Sequence, residues 1–395
     1  MKTSTRCVHL DAIDDAYDAS DVYGAISPPI YQTATFRQPT ASEFGEYDYT
    51  RSGNPTRTLL ERQLAKLEDG AHACAFASGM AAITALTRLV ASGDEIIAGD
   101  DLYGGTVRLL EQIRRRYSVS VAYTDTTDLT AVRAALTSQT KLILIETPTN
   151  PLFRISDIRG LADLAHEVGV LLAVDNSMLS PVLQRPLTLG ADFVIHSATK
   201  FLSGHSDVTA GAVITNDPKL HEQIAFQQNM EGAGLSPFES WLLMRGIKTL
   251  ALRVERQTES ALKLAQFLEL HPAVNRVYYP GLVNHPGHQI QRSQSAGDGA
   301  VISFTTGDLG VSERVVEATQ FFQIAVSFGS VGSVISLPCN MSHASIPPEL
   351  RSRLAPPEDL VRLSIGIEDS DDLIGDLDRA LAVAAPKSLV VGMAI

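Results

Sequence analysis

The chain has little cysteine, few aromatic residues and no long apolar run. Its 395 residues hold three cysteines, Cys7, Cys74 and Cys339, too widely spaced for a metal motif or a disulfide framework. Cys74 lies in an apolar run and reads as a plain core residue. No segment approaches a membrane span, and the opening stretch MKTSTRCVHLDAIDDAYD has no apolar signal core. The expectation is therefore a cytoplasmic protein with no membrane partner. Basic charge is also scarce: 32 Lys and Arg stand against 45 Asp and Glu, a net charge of −13. That balance lacks the basic footprint of nucleic-acid binding. No internal repeat and no low-complexity segment is found. What remains is 45% hydrophobic and 19% charged residues, at a length sufficient for two domains, the profile of a globular enzyme.

Residues 1–55 are rich in Asp, Tyr, Thr and Pro and only weakly periodic. They read as an extended arm with short turns, which must pack on something, such as a neighbouring subunit. Over 56–250, apolar runs alternate with helical patterns. HACAFA, DEIIAG, VSVAYT, KLILIET, VLLAVDN, DFVIHS and GAVIT read as strands, and TRTLLERQLAKLEDG reads as an amphipathic helix closed by Gly70. The spacing predicts an α/β fold with βα units on a mostly parallel, seven-stranded sheet. Over 251–395, a long helical stretch ending near His271-Pro272 leads into a smaller α+β domain.

The run Phe193-Val194-Ile195 suits a strand buried on both faces, and it leads to Ser197, Thr199 and Lys200. A lysine at the mouth of such a strand loses solvation, which lowers its pKa and frees its amine as a nucleophile. LLAVDN ends likewise in an acid, Asp175. Two parallel strands ending together put Asp175 and Lys200 at the edge where open α/β sheets bind ligands. A Schiff-base lysine with an aspartate for a pyridinium nitrogen points to pyridoxal 5'-phosphate (PLP).

Other residues fit the same cofactor. Ser78, Gly79 and Met80 follow a strand and head a helix, a setting that favours a phosphate. Tyr103, beside Gly104-Gly105, suits stacking on a flat ring. ETPTNP closes a strand with Glu146 and carries Asn150, which can hydrogen-bond a ring oxygen or a substrate carboxylate. Tyr49 and Arg51 lie in the arm, and arginine offers paired donors to a phosphate. Arg362 falls inside an alternating strand pattern and needs an acid: a substrate carboxylate, or Glu368 or Asp369. Each residue alone also fits a plainer role, as a surface lysine, a capping acid or serine, a loop tyrosine or a turn asparagine. His205 and His343 have no metal-ligand spacing and read as structural, so no metal is expected.

Together, YTRSGNP, FASGMAAI, DLYGGT, ETPTNP, AVDNS, HSATK and VRLSIGIED resemble the PLP-dependent cystathionine synthase and lyase family of sulfur amino-acid metabolism. The motifs run in order from the arm almost to the C-terminus. The resemblance implies the PLP-binding fold of fold type I with a smaller C-terminal domain, assembled as a homotetramer of two tight dimers. It implies Lys200 as the Schiff-base lysine, counted with the ring-stacking Tyr103 among the catalytic residues, and Asp175 as the partner of the pyridine nitrogen. Ser78, Gly79, Met80, Ser197 and Thr199 resemble the phosphate cup of the same subunit, and Tyr49 and Arg51 the phosphate contacts from its neighbour. Arg362 resembles the anchor for the substrate α-carboxylate, helped by Asn150 and Ser327.

Several γ-acting members carry a Glu immediately before the equivalent serine, whereas Val326 precedes Ser327 here. The stretch from Ser327 through Ser342-His343-Ala344 is most similar to members of the plant β-lyase type. The expected activity is β-elimination from cystathionine to homocysteine, pyruvate and ammonia, a step of methionine biosynthesis. γ-Lyase or γ-synthase chemistry on the same scaffold is the alternative. A non-catalytic protein of this fold is a remoter one, and the joint presence of Lys200, Asp175 and Arg362 argues against it.

Overall fold

Seven short apolar runs build the larger sheet of the computed structural model, which describes residues 1–9, 23–342, 351 and 354–384. They are β1 (His72–Phe76), β2 (Glu95–Gly99), β3 (Ser120–Thr124), β4 (Thr140–Glu146), β5 (Leu171–Asp175), β6 (Phe193–His196) and β7 (Gly211–Thr215). Their order across the sheet is β1-β7-β6-β5-β4-β2-β3, with β7 antiparallel to both neighbours and every other pair parallel. The mostly parallel seven-stranded sheet read from the sequence is thus the one observed. Helices cover both faces, so the central strands are apolar throughout rather than alternating.

The smaller sheet contains β8 (Arg276–Tyr278), β9 (Val301–Thr305), β10 (Gln323–Ile324), β11 (Val334–Ser336) and β12 (Leu360–Ser364), in the order β10-β11-β12-β9-β8. β10 and β11 span two and three residues, too few to show a period in the sequence. One hydrophobic core joins the two sheets. It runs from Val194 and Ile214 through Val254, Ala261 and Leu264 of the long helix Leu250–Leu270 to Ile302, Phe304 and Leu363.

Two local readings need correction. The helix after the arm starts at Pro55, where Asn54 accepts from Thr56 N, and it ends at Leu67 instead of running to Gly70. Asp69 makes the left-handed turn, with φ 56°. Gly70 serves space rather than conformation: a Cβ there would sit 2.5 Å from Ile214 Cγ2. The arm is not extended throughout, because Thr3–Val8 is helical and Cys7 is fully buried in the core. Gln63 Nε2 donates to the Cys7 carbonyl at 3.1 Å, tying this helix to its own chain. Residues 23–54 do lack regular strands and helices, with a lone bridge between Thr35 and Tyr49. Cys74 is buried as a core residue. Among the described residues, no helix is long and apolar enough to cross a membrane, and no group of three or more metal-binding side chains occurs.

Candidate active site

Parallel register brings the strand ends together. Glu146 of β4 lies opposite Asp175 of β5, and Asp175 lies opposite Ile195 of β6. Beyond β6 the chain turns tightly. Thr199 Oγ1 donates to Ala210 O at 3.2 Å and accepts from Ala210 N at 2.9 Å, while Gly204 N donates to Lys200 O at 2.8 Å. This turn aims Lys200 into a cavity of about 480 Å³. Ser78, Gly79, Met80 and Tyr103 line it together with Asp175, Ser197 and Thr199. Asn150, Val326, Ser327 and Arg362 complete the wall, so the smaller sheet closes a site that the larger sheet opens.

Lys200 Nζ donates to Ser327 Oγ at 2.6 Å and lies 4.9 Å from the Phe328 ring centroid. Burial pulls its pKa down to about 8, the nearby Arg362 adds to the fall, and Asp175 opposes it. Ser327 adopts a left-handed φ of 84°, which turns its hydroxyl toward the lysine and its carbonyl toward Arg362. Gly329, with φ 86°, lets this loop lie against the lysine turn, since a Cβ there would sit 2.7 Å from Phe201 N.

Arg362, on β12, is 2% exposed. Its Nη1 donates to Asn150 Oδ1 at 2.8 Å and its Nη2 to Ser327 O at 2.9 Å. Neither acid considered from the sequence is its partner: Glu368 accepts from Ser333 N at 2.7 Å, and Asp369 pairs with Arg256 at 3.6 Å. Burial draws Arg362 down to about 10 against the pull of Glu146. Even so, it stays charged at neutral pH inside a cavity, where an anionic ligand group would complete its coordination.

Asp175 Oδ1 accepts from Ser177 N at 2.9 Å. Burial raises its pKa, resisted first by Ser177 and then by His196 and Lys200. Glu146 Oε2 accepts from Tyr103 N at 3.1 Å, and burial beside the Asp175 charge pushes its carboxyl well up. Two adjacent buried carboxyls resist ionising together. Asp175, on which His196 and Lys200 act to favour the ionised form, is the one suited to hold charge opposite a pyridinium.

The remaining residues fit a phosphate and a flat ring. Ser78 Oγ accepts from Ala81 N at 3.1 Å at the head of the helix Gly79–Thr87, which leaves its hydroxyl proton free to donate. A Cβ on Gly79 would sit 2.8 Å from Ser197 Cβ, so glycine keeps this cradle open. A Cβ on Gly105 would strike the Tyr103 ring, so glycine also seats that ring at the cavity wall. A phosphate cradle, a partly desolvated lysine and a carboxylate at a strand end are together the donor set that PLP needs.

Tyr49 and Arg51 do not line the cavity of their own chain. Both are exposed; Arg51 Nη1 donates to Asn229 O at 3.0 Å, and its guanidinium lies 5.6 Å from the Tyr49 ring centroid. His205 is exposed and bonds Ser203 O at 2.8 Å through Nδ1, away from the cavity. His343 lies outside the described residues. Phe328, Ser177, Met178 and Arg108 also line the cavity. Of these, only Ser177 had a sequence signal, as the second residue after an aspartate at a strand end.

Fold and cavity together define a PLP-dependent enzyme of fold type I. The chain belongs to the Cys/Met metabolism PLP-dependent enzyme family, whose family model matches residues 4–382. The chloroplastic cystathionine beta-lyase of Arabidopsis thaliana is 56% identical over 377 residues, 95% of this chain and 80% of that protein. The cystathionine gamma-lyase of Bacillus subtilis is 48% identical over 384 residues, 96% of this chain and 99% of that protein. The crystal structure of cystathionine gamma-lyase from Lactobacillus plantarum complexed with L-serine has a TM-score of 0.92 at 44% identity, covering 97% of this chain and 99% of that one.

Proposed function

We propose that this enzyme is a carbon–sulfur lyase of the cystathionine β-lyase type, forming homocysteine, pyruvate and ammonia from cystathionine. The observation that carries this is Lys200: one partly buried amine, hydrogen-bonded to Ser327 Oγ at 2.6 Å and sharing its cavity with the Arg362 fork. When bound, PLP supplies an electron sink for the carbanion at substrate Cα. Arg362 holds the α-carboxylate and Asn150 orients that pair. Lys200 Nζ takes the Cα proton. The Cβ–S bond then breaks with its electron pair going to sulfur, and Lys200 returns a proton to that sulfur. One water hydrolyses the remaining unsaturated amine to pyruvate and ammonia, which balances the reaction.

A γ-elimination must also move a proton at Cβ. Val326 lines the cavity next to Ser327 and offers no carboxylate for that path. Wild-type protein with cystathionine is therefore expected to release mainly pyruvate, with 2-oxobutyrate a minor product. Val326→Glu is expected to raise the 2-oxobutyrate share without converting the enzyme, because other wall residues also set the substrate pose. Chromatography of the two keto acids decides: a wild-type preference for 2-oxobutyrate replaces this reading with a γ-lyase.

The same proposal extends to assembly. Tyr49 and Arg51 serve the cofactor phosphate of a neighbouring subunit, within a homotetramer of two dimers, in a cytoplasmic setting. The chain divides into an arm (1–55), a cofactor domain (56–250) and a C-terminal domain (251–395). Support comes from the exposure of both arm residues outside their own cavity and from the phosphate cradle left at Gly79. Arg51→Ala and Lys200→Ala chains, each inactive alone, should regain activity when mixed under subunit exchange, because some mixed dimers hold one intact site. No rescue despite exchange shown by native mass spectrometry would rule out the shared site.

A further inference from the structure

We propose that Glu68, His196, Asn176 and Gln184 are positioning residues, forming a buried polar chain behind the larger sheet that holds the strand ends bearing Asn150, Asp175 and Lys200 in register. Side chains alternate along a strand, so Asp175 faces the cavity while Asn176 points to the opposite face. There Asn176 Nδ2 donates to Glu68 Oε1 at 2.9 Å and to Gln184 O at 2.8 Å. Its Oδ1 accepts from Gln184 Nε2 at 3.1 Å. His196, the last residue of β6, meets the same Glu68 Oε1 through Nε2 at 2.6 Å. Gln184 Nε2 also donates to Thr147 O at 3.0 Å, one residue past the end of β4. One polar chain thus touches the ends of β4, β5 and β6, the three strands that lead into Asn150, Asp175 and Lys200. Asn176 N donates to Ile195 O at 2.9 Å, which carries the β5–β6 pairing one residue past Asp175.

All four residues are at most 2% exposed. What the polar chain provides is geometry, since hydrogen bonds fix relative positions that apolar contacts leave free to slide. It also has an electrical effect, because His196 acts against the rise that burial imposes on the Asp175 carboxyl. The proposal rests on the cofactor and substrate roles given above to Asp175, Lys200 and Asn150.

The test uses PLP-loaded protein carrying His196→Gln, Glu68→Gln or Gln184→Leu. The control is Gln291→Leu, which removes a buried side chain that donates to Gly297 O at 2.8 Å and lines no part of the cavity. The readouts are the pH at which the visible PLP band titrates, the rate of PLP loss on dialysis, the split between kcat and KM, and apoprotein thermal stability. His196→Gln is expected to move the titration by about half a pH unit or more. Gln184→Leu is expected to release PLP about tenfold faster and to lower kcat about tenfold at nearly constant KM. The control should lose thermal stability and nothing else. If the network variants lose only stability, as the control does, the proposal is overturned. Should His196→Gln fail to fold, Gln184→Leu leaves Glu68 and His196 in place, and wild-type values in it are equally decisive. Wild-type protein that binds no PLP overturns the cofactor reading as well. A wild type that loads PLP, with variants matching it, overturns only the network.

Discussion

Lys200→Ala is expected to lose the near-violet absorbance band and the lyase activity together, with kcat falling by roughly 10⁴-fold or more. Among the described residues Lys200 is the one lysine lining the cavity, so they offer no second primary amine to hold PLP or to move the Cα proton. In the proposed mechanism both transfers, from Cα and to sulfur, pass through this nitrogen, so its loss would stop the reaction at two points. Added methylamine should restore part of the rate by supplying a diffusible amine. A band and a rate equal to those of wild type would exclude Lys200 from both roles.

The same lysine gives the apoprotein a pH signature. Its folded pKa of about 8 lies below the ordinary lysine value, so the unfolded chain binds the extra proton in the window between them. Stability should therefore rise with pH from about 8 to about 10.4, and the penalty is fully present below that window. Lys200→Met apoprotein should be more stable at pH 7 by roughly 2–3 kcal/mol, with the gap closing toward pH 10. Urea denaturation at both pH values measures it.

Arg362→Leu is expected to lower kcat/KM for cystathionine by roughly 10²–10⁴-fold while PLP loading persists. The guanidinium is buried and held by Asn150 Oδ1 and Ser327 O, with remaining donors able to grip a carboxylate in a fork. Leucine removes that charge from the cavity wall, so the substrate carboxylate gives up water there with no ionic partner in return. Arg362→Lys should rescue little, because an ammonium cannot reach both existing acceptors and the substrate in one plane. Steady-state kinetics with an absorbance check on loading separates lost anchoring from lost cofactor. A variant within threefold of wild type, against the ratio given above, would return Arg362 to a structural role.

Much of this site was legible as separate pieces. The seven apolar runs became the seven strands of the larger sheet, because a strand buried on both faces writes itself as a continuous apolar run. Lys200 and Asp175 were legible because each closes such a run. The helix end at Leu67 was misread because Gly70 resembles a stop signal, whereas Asp69 makes the turn and Gly70 clears Ile214. The helical start of the arm was missed because Thr3–Val8 is too short to show a period, and it is anchored by burial of Cys7 in a core made elsewhere.

The sequence by itself determined the strands of the larger sheet, the family, the cofactor and the residues that adjoin strand ends, since these depend on local period and on motifs a few residues long. Tertiary structure alone decided which groups meet. Ser327 Oγ reaches Lys200 across 127 positions, and Asn150 Oδ1 accepts from Arg362 across 212, a meeting that local pattern did not carry and that only the family resemblance implied. The rear chain from Glu68 to Thr147 likewise exists only once three strand ends and a helix end are packed together. A side chain's chemistry is local, but its partner is set by how two sheets share one core, and a period of two or 3.6 residues carries no record of that.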